Sequence, residues 1–345
     1  WLRKAGDLMI VQKYGGSSLS TPEKIREVAD MVSQRLPDGK KSVVVVSAMC
    51  DTTDSLIRIA SSISKGGDLR EMDMLLSSGE QVSASLLAMV LSEKGIPALS
   101  MNAFQLGIVT DDNHSDARIK SIDISRIKKG LSDNRVIVVT GFQGISENGD
   151  ITTLGRGGSD TTAVAIASSL GVPCYIYSDV SGVYTCDPRL EPDAKKLEFI
   201  TYDEMLELSM LGARVLNPVA VETAKSGRVE VSCCAAFSSE NGTRLVSSLP
   251  SFYGRTSVTG LAVSKYPFED KRFLSVDIQD LSVISAVGNS IGNDHAAKTR
   301  LSSVLHRESK VFPEVFSSFN SISALIPSSS VIPGVKALAR EFSLI

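Results

Sequence analysis

Over the first 245 or so residues, short β-branched runs alternate with helical patterns, and this alternation constrains the fold more than any other feature. The runs at 9–13, 42–47, 96–99, 135–140, 174–178 and 229–233 read as strands. Between them the spacing predicts helices at 22–35, 54–64, 70–94, 122–134, 161–170 and 202–211. The clearest start is Thr21 followed by Pro22 at the first helical position, with Ile25, Val28, Ala29 and Val32 at helical spacing behind them. Strands separated by helices pair in parallel through crossovers, so the expected fold is α/β, a doubly wound and mostly parallel sheet. Such folds bind ligands beyond the carboxyl ends of their strands, in the strand-to-helix turns.

Between residues 238 and 257 the composition shifts to Ser, Gly, Asn, Pro and Arg, which marks a connection. Beyond it the pattern is strand 281–287, helix 295–306, strands 312–317 and 321–326, and helix 331–342. That is most of a β-α-β-β-α-β unit, a ferredoxin-like arrangement, and further strands at 258–263 and 273–278 are placed to complete its sheet. The expected domains are therefore 9–246 and 257–345, which suits a chain of 345 residues.

Charge is nearly balanced, with 36 Lys and Arg against 39 Asp and Glu, so no basic excess points to nucleic acid. The longest apolar runs fall short of the roughly 18 residues a spanning helix needs, so no membrane partner is expected. The five cysteines lack any C-x-x-C spacing and the three histidines lack H-x-x-x-H pairing, so no metal site is expected and the cysteines read as the reduced thiols of a cytoplasmic protein. The apolar stretch at 8–11 is too short for a signal peptide.

Three segments carry the chemistry. Lys13-Tyr14-Gly15-Gly16-Ser17-Ser18 follows a strand and precedes a helix: the glycines admit close approach of an anion to backbone N–H groups, and Lys13 adds a full positive charge. The lysine precedes the glycines, so this is not a Walker A loop. Thr152-Thr153-Leu154-Gly155-Arg156-Gly157-Gly158-Ser159-Asp160 again leads into a helix, with a guanidinium suited to gripping a carboxylate. The turn-rich run from Ser178 and Asp179 through Tyr184 to Asp187 and Arg189 suits a nucleotide, although a solvated hairpin has the same composition. Ser47 with Thr53, and Ser77-Ser78-Gly79-Glu80, supply hydroxyls and a carboxylate for a polar substrate.

Taken together, V-Q-K-Y-G-G-S-S, V-V-V-S-A-M, S-G-E-Q, T-T-L-G-R-G-G-S-D and S-D-V-S-G-V-Y-T-C-D-P-R resemble, in this order, the amino-acid kinase family and within it the aspartokinases. The carboxy-terminal part resembles one of that family's regulatory ACT domains, with 316–320 where an effector-contacting strand lies, and a second ACT unit reduced or absent. The resemblance implies ATP-dependent phosphorylation of the L-aspartate side-chain carboxylate, with Mg2+ bridging the phosphates. It implies that Lys13 and the Gly15 and Gly16 amides stabilise the phosphoryl group and that Asp160 organises them. Arg156 would clamp the substrate α-carboxylate, Glu80 would accept its ammonium, and Ser47, Thr53, Gly157, Gly158 and Ser159 would line the pocket. Ser178, Asp179, Tyr184, Asp187, Arg189 and Arg214 would hold the nucleotide, Arg214 standing where the family usually has lysine. A lysine or threonine effector and a homodimer or higher homo-oligomer are further implications. A kinase for another small carboxylate and a catalytically weak, amino-acid-binding regulatory homologue are the alternatives.

Overall fold

A computed structural model describes residues 9–36, 41–133, 135–254, 257–265 and 280–345. In chain order the strands are β1 Ile10–Tyr14, β2 Ser42–Val46, β3 Ala98–Met101, β4 Ile108–Thr110, β5 Ile119–Ile122, β6 Val136–Thr140, β7 Gln143–Ser146, β8 Ile151–Thr153, β9 Cys174–Ser178, β10 Phe199–Thr201, β11 Val231–Ala235, β12 Thr243–Val246, β13 Gly260–Lys265, β14 Leu281–Val287, β15 Glu314–Ser317 and β16 Ser321–Pro327. The α-helices are α1 Pro22–Gln34, α2 Thr52–Ile63, α3 Leu69–Leu76, α4 Ser78–Glu93, α5 Ala103–Leu106, α6 Ser125–Ser132, α7 Gly158–Leu170, α8 Tyr202–Met210, α9 Pro218–Gly227, α10 His295–Ser309 and α11 Val331–Glu341. The described residues pack as two compact units, one of 9–181 with 219–244 and the other of 182–218 with 245–345.

In the first unit β11, β9, β1, β2, β6 and β3 lie side by side in that order, all parallel. β1 and β2 are buried along their whole length, as strands covered on both faces must be. Successive residues of a strand face opposite sides. Tyr14 therefore joins Val44, Val46, Leu87 and Tyr177 in one core layer, while its neighbour Lys13 faces α7. A second sheet, in the order β5, β4, β7, β8, mixes parallel and antiparallel pairs. Its strands of three or four residues carry too few apolar positions to register as strands in the sequence.

Several helix assignments change: α6 begins at Ser125 where 122 was expected, α10 runs to Ser309 where 306 was expected, and α5 and α9 answer no expected helix. The stretch expected as one helix at 70–94 is two, α3 and α4, joined at Ser77, whose φ of −60° and ψ of −18° remain helical, so the apolar periodicity is never interrupted. Residues 69–93 are long and apolar enough to cross a membrane by length and composition, contrary to the expectation from apolar runs, but half of the qualifying window is buried inside the protein. The helix expected to begin at 161 begins at Gly158, because Gly157 takes the left-handed conformation of its N-cap (φ 71°).

In the second unit β13, β14, β16 and β15 form an antiparallel sheet in that order, with α10 and α11 packed against it through Leu301, Leu305, Val335 and Leu338. β13 occupies the position that the last strand of a β-α-β-β-α-β unit would fill, so the sheet is completed from upstream. The strand expected at 273–278 lies outside the described residues. Gly292, before α10, packs against the turn after β15: a Cβ there would lie 1.5 Å from the Ser318 carbonyl oxygen. Gly292→Ala is expected to destabilise the chain by about 2 kcal/mol or more, measured as a lower urea midpoint; an unchanged midpoint would contradict this packing.

Candidate functional site

β1 ends in the middle of the parallel sheet, and the turn that follows is held by its neighbours. Gly15 N donates to Tyr177 O at 3.2 Å, Ser47 N to Tyr14 O at 3.2 Å and Cys50 N to Gly16 O at 3.2 Å. Gly16 has no room for a side chain, since a Cβ would sit 2.7 Å from Ala48 O. Gly79, in the first turn of α4, is equally confined, its Cβ position lying 2.9 Å from that of Ala48. Three turns thus meet with nothing larger than the Ala48 methyl group between Gly16 and Gly79.

The Lys13 ammonium lies 2.7 Å from Asp160 Oδ1, with both side chains about nine-tenths buried. It also lies 3.6 Å from the position of a Gly15 Cβ, and so stands beside the glycine turn. Asp160 owes its place to the early start of α7, in whose first turn it lies. An anion bound there would meet the Lys13 charge and a helix N-terminus together.

Glu80 is 3% exposed. Its Oε1 accepts from Ala48 N at 2.9 Å, and its Oε2 has no hydrogen-bond partner among the described residues. Burial pushes its carboxyl up to about 7, against the lowering effects of the Ala48 amide and of Lys13. Ser83, one turn on, donates to Ser47 O at 2.7 Å and ties α4 to the end of β2. Thr53 lies half-buried in the first turn of α2.

Arg156 is exposed between Gly155 and Gly157, whose φ angles of 70° and 71° a residue with a side chain rarely adopts. A Cβ on Gly158 would meet Leu154 at 2.9 Å and Phe142 at 3.0 Å. Ser159 is buried, within 2.7 Å of where Gly141 would carry a Cβ. Ser178 closes its own loop, its Oγ accepting from Val180 N at 3.3 Å, and Asp179 beside it is exposed.

The remaining nucleotide candidates belong to the second unit. Tyr184 forms a bridge with Lys196. Arg189 grips Asp187 through Nη2 at 2.7 Å and Nε at 3.0 Å, and this hydrogen bonding holds the Asp187 carboxyl below the ordinary range. Arg214 is exposed in the loop after α8.

Sequence reading missed Gln143, whose Nε2 donates to Ser77 O at 2.9 Å and holds the α3–α4 junction. It also missed Phe142, which takes a left-handed φ of 72° and donates its N–H to Thr162 Oγ1 at 3.1 Å. Asp73 is fully buried and accepts from Thr153 Oγ1 at 2.6 Å. The available signal was a carboxylate set among Met72, Met74, Leu75 and Leu76 on one short helix.

Since burial raises the Glu80 carboxyl to about 7 from an ordinary value of 4.5, the folded chain binds more protons than the unfolded chain between those values, and stability falls as pH rises through that window. Glu80→Gln, which keeps an acceptor for Ala48 N, is expected to be more stable than the wild type at pH 8, by on the order of 3 kcal/mol, and equal to it near pH 4. Urea unfolding at both pH values checks this; a less stable variant at pH 8 would overturn it.

Residues 9–234 match the model of the amino acid kinase family. The chain is 50% identical over 264 residues to an aspartokinase of Geobacillus stearothermophilus, covering 76% of this chain and 63% of the relative. It is 49% identical over 236 residues to an aspartokinase of Thermus thermophilus, covering 68% of this chain and 58% of the relative. It thus spans under two thirds of the length of the curated relatives it matches. Among solved structures, aspartokinase III of E. coli in complex with aspartate and ADP superposes with a TM-score of 0.80 at 19% identity, covering 97% of this chain and 100% of that one. Aspartate kinase from Synechocystis gives 0.64 at 29% identity, covering 97% and 69%. The chain belongs to the amino acid kinase family.

Proposed function

We propose that the chain is an aspartate kinase, transferring the γ-phosphoryl group of ATP to the side-chain carboxylate of L-aspartate to give 4-phospho-L-aspartate and ADP. The observation that carries this reading is the buried Lys13–Asp160 pair, with its ammonium 2.7 Å from the carboxylate and beside the Gly15–Gly16 turn. A carboxylate nucleophile is ionised at neutral pH, so no general base is required. Its oxygen attacks the γ-phosphorus as the bond to the β–γ bridging oxygen breaks, and the task left to the protein is positioning and charge neutralisation.

Lys13 and the Gly15 and Gly16 amides meet the transferring group, and Asp160 holds the Lys13 ammonium in place. Glu80 Oε2, which has no partner among the described residues, receives the substrate ammonium, and Arg156 receives its α-carboxylate. Ser47, Thr53, Gly157, Gly158 and Ser159 line the same pocket. Ser178, Asp179, Tyr184, Asp187, Arg189 and Arg214 serve the nucleotide. Mg2+ would be held mostly by phosphate oxygens of ATP and by water, as this ion prefers, and would neutralise charge there.

The E. coli aspartokinase III structures hold aspartate with ADP in one case and with lysine in the other, which is in keeping with aspartate as acceptor and with an amino-acid effector. On this reading residues 9–246 are catalytic and 257–345 regulatory. The enzyme is a cytoplasmic homo-oligomer, dimeric at least, that opens the biosynthesis of lysine, diaminopimelate, threonine and methionine.

ADP release across a panel of amino acids, with hydroxylamine trapping of the acyl phosphate, tests the reading. Aspartate-dependent release with a trapped acyl phosphate is expected, and its absence would refute it. Repeating the assay with lysine, threonine or methionine identifies the effector. Lys13→Ala is expected to lower kcat by about 10³ or more while aspartate binding persists; near-wild-type turnover would remove Lys13 from its role. Arg156→Ala should raise the KM for aspartate by about tenfold or more, and an unchanged KM would remove the carboxylate clamp.

A further inference from the structure

Asp73 is fully buried on α3, and no Lys or Arg pairs with it among the described residues. Four donors meet its carboxylate: His114 Nδ1 at 2.8 Å, Ser115 N at 3.0 Å, Ser115 Oγ at 3.3 Å and Thr153 Oγ1 at 2.6 Å. Burying a carboxylate without a permanent counter-charge is costly, and apolar residues of similar volume commonly give equal or greater stability. What the carboxylate supplies instead is fixed geometry between segments distant in sequence.

Those segments carry the two ends of the proposed amino-acid site. From Asp73 the chain runs through Ser77, whose N donates to Asp73 O at 3.0 Å, into the first turn of α4 and Glu80. Thr153 ends β8 three residues before Arg156, and its carbonyl accepts from Ala117 N at 2.9 Å. The turn that Asp73 captures at Ser115 also braces the arm: the Cβ position of Gly155 lies 3.2 Å from Ser115 O and 3.0 Å from Asp116 Oδ1. The Asp73 carboxylate therefore bonds the strand that leads to Arg156 and the turn against which the Arg156 loop packs, while the backbone of its own helix, α3, continues through Ser77 into the α4 turn that carries Glu80.

We propose that Asp73 is a positioning residue that sets the separation between Glu80 and Arg156, and so the length of α-amino acid the site accepts. This rests on the kinase reading above. Lys13 and Asp160 are held by each other and by the Gly15–Gly16 turn, so the phosphoryl end of the site does not depend on this bond.

The test is steady-state kinetics of the full chain with both substrates varied. Asp73→Asn keeps the shape but turns a donor toward Ser115 or Thr153. It is expected to raise the KM for aspartate about tenfold, with the KM for ATP and kcat within about threefold of the wild type. Thr153→Val should shift the aspartate KM in the same direction, and Thr153→Ser, which restores the hydroxyl, should return it. A fall in kcat with both KM values unchanged, a KM for ATP rising in step, or a serine variant no better than valine would overturn the proposal. If Asp73→Asn does not fold, the valine and serine pair decides by the same criteria. If the wild type phosphorylates a different α-amino acid, the aspartate reading fails while the same variants test Asp73 on that substrate; if it phosphorylates none, both fail.

Discussion

The ion pair between Lys13 and Asp160 fastens the central strand of the parallel sheet to the helix that covers it. Removing either partner leaves the other charge buried and desolvated, at a cost of about 3–5 kcal/mol. The register of β1 and the start of α7 are therefore coupled. Were α7 to begin three residues later, Asp160 would leave the helix, and Lys13 would lose the partner that keeps an ammonium inside the protein.

The opposite face of the same strand is secured by different chemistry. Tyr14 stacks on Tyr177 at 5.0 Å, and the Arg35 guanidinium lies 4.0 Å above the Tyr177 ring. Arg35 also donates to Tyr14 Oη at 3.2 Å and to Ser238 O at 2.8 Å, while Tyr14 Oη donates to Gln12 Oε1 at 2.9 Å. Burial pushes the Tyr14 hydroxyl up to about 12, so it remains a neutral donor. Alternation along β1 thus places an aromatic and hydrogen-bonded anchor on one side and a usable cation on the other, one residue apart.

Much of this was legible before any coordinates. The parallel core strands are β-branched runs, and the glycines and charges of the Gly15–Gly16 and Arg156 turns stand out in the sequence because they disfavour regular structure. Other parts were not. Gly157 and Gly158 read as loop, although one is an N-cap and the other the first residue of a helix. The junction at Ser77 leaves no trace in periodicity because its backbone stays helical. Asp73 carries no signal of its role in the sequence, since its side-chain partners lie about 40 residues away at His114 and Ser115 and 80 residues away at Thr153. Contacts of that span have no local pattern.

If the proposed function holds, the meeting of Gly16, Ala48 and Gly79 has a consequence for ligand entropy. Gly16 faces the Ala48 backbone and Gly79 the Ala48 methyl group, which has no rotamers to freeze when a ligand arrives. The ordering of this part of the pocket is completed during folding, and the free energy of binding need not supply it again. A larger residue at Gly16 or Gly79 would therefore do more than crowd the pocket. It would part turns that now move together, and each later binding event would have to restore their alignment.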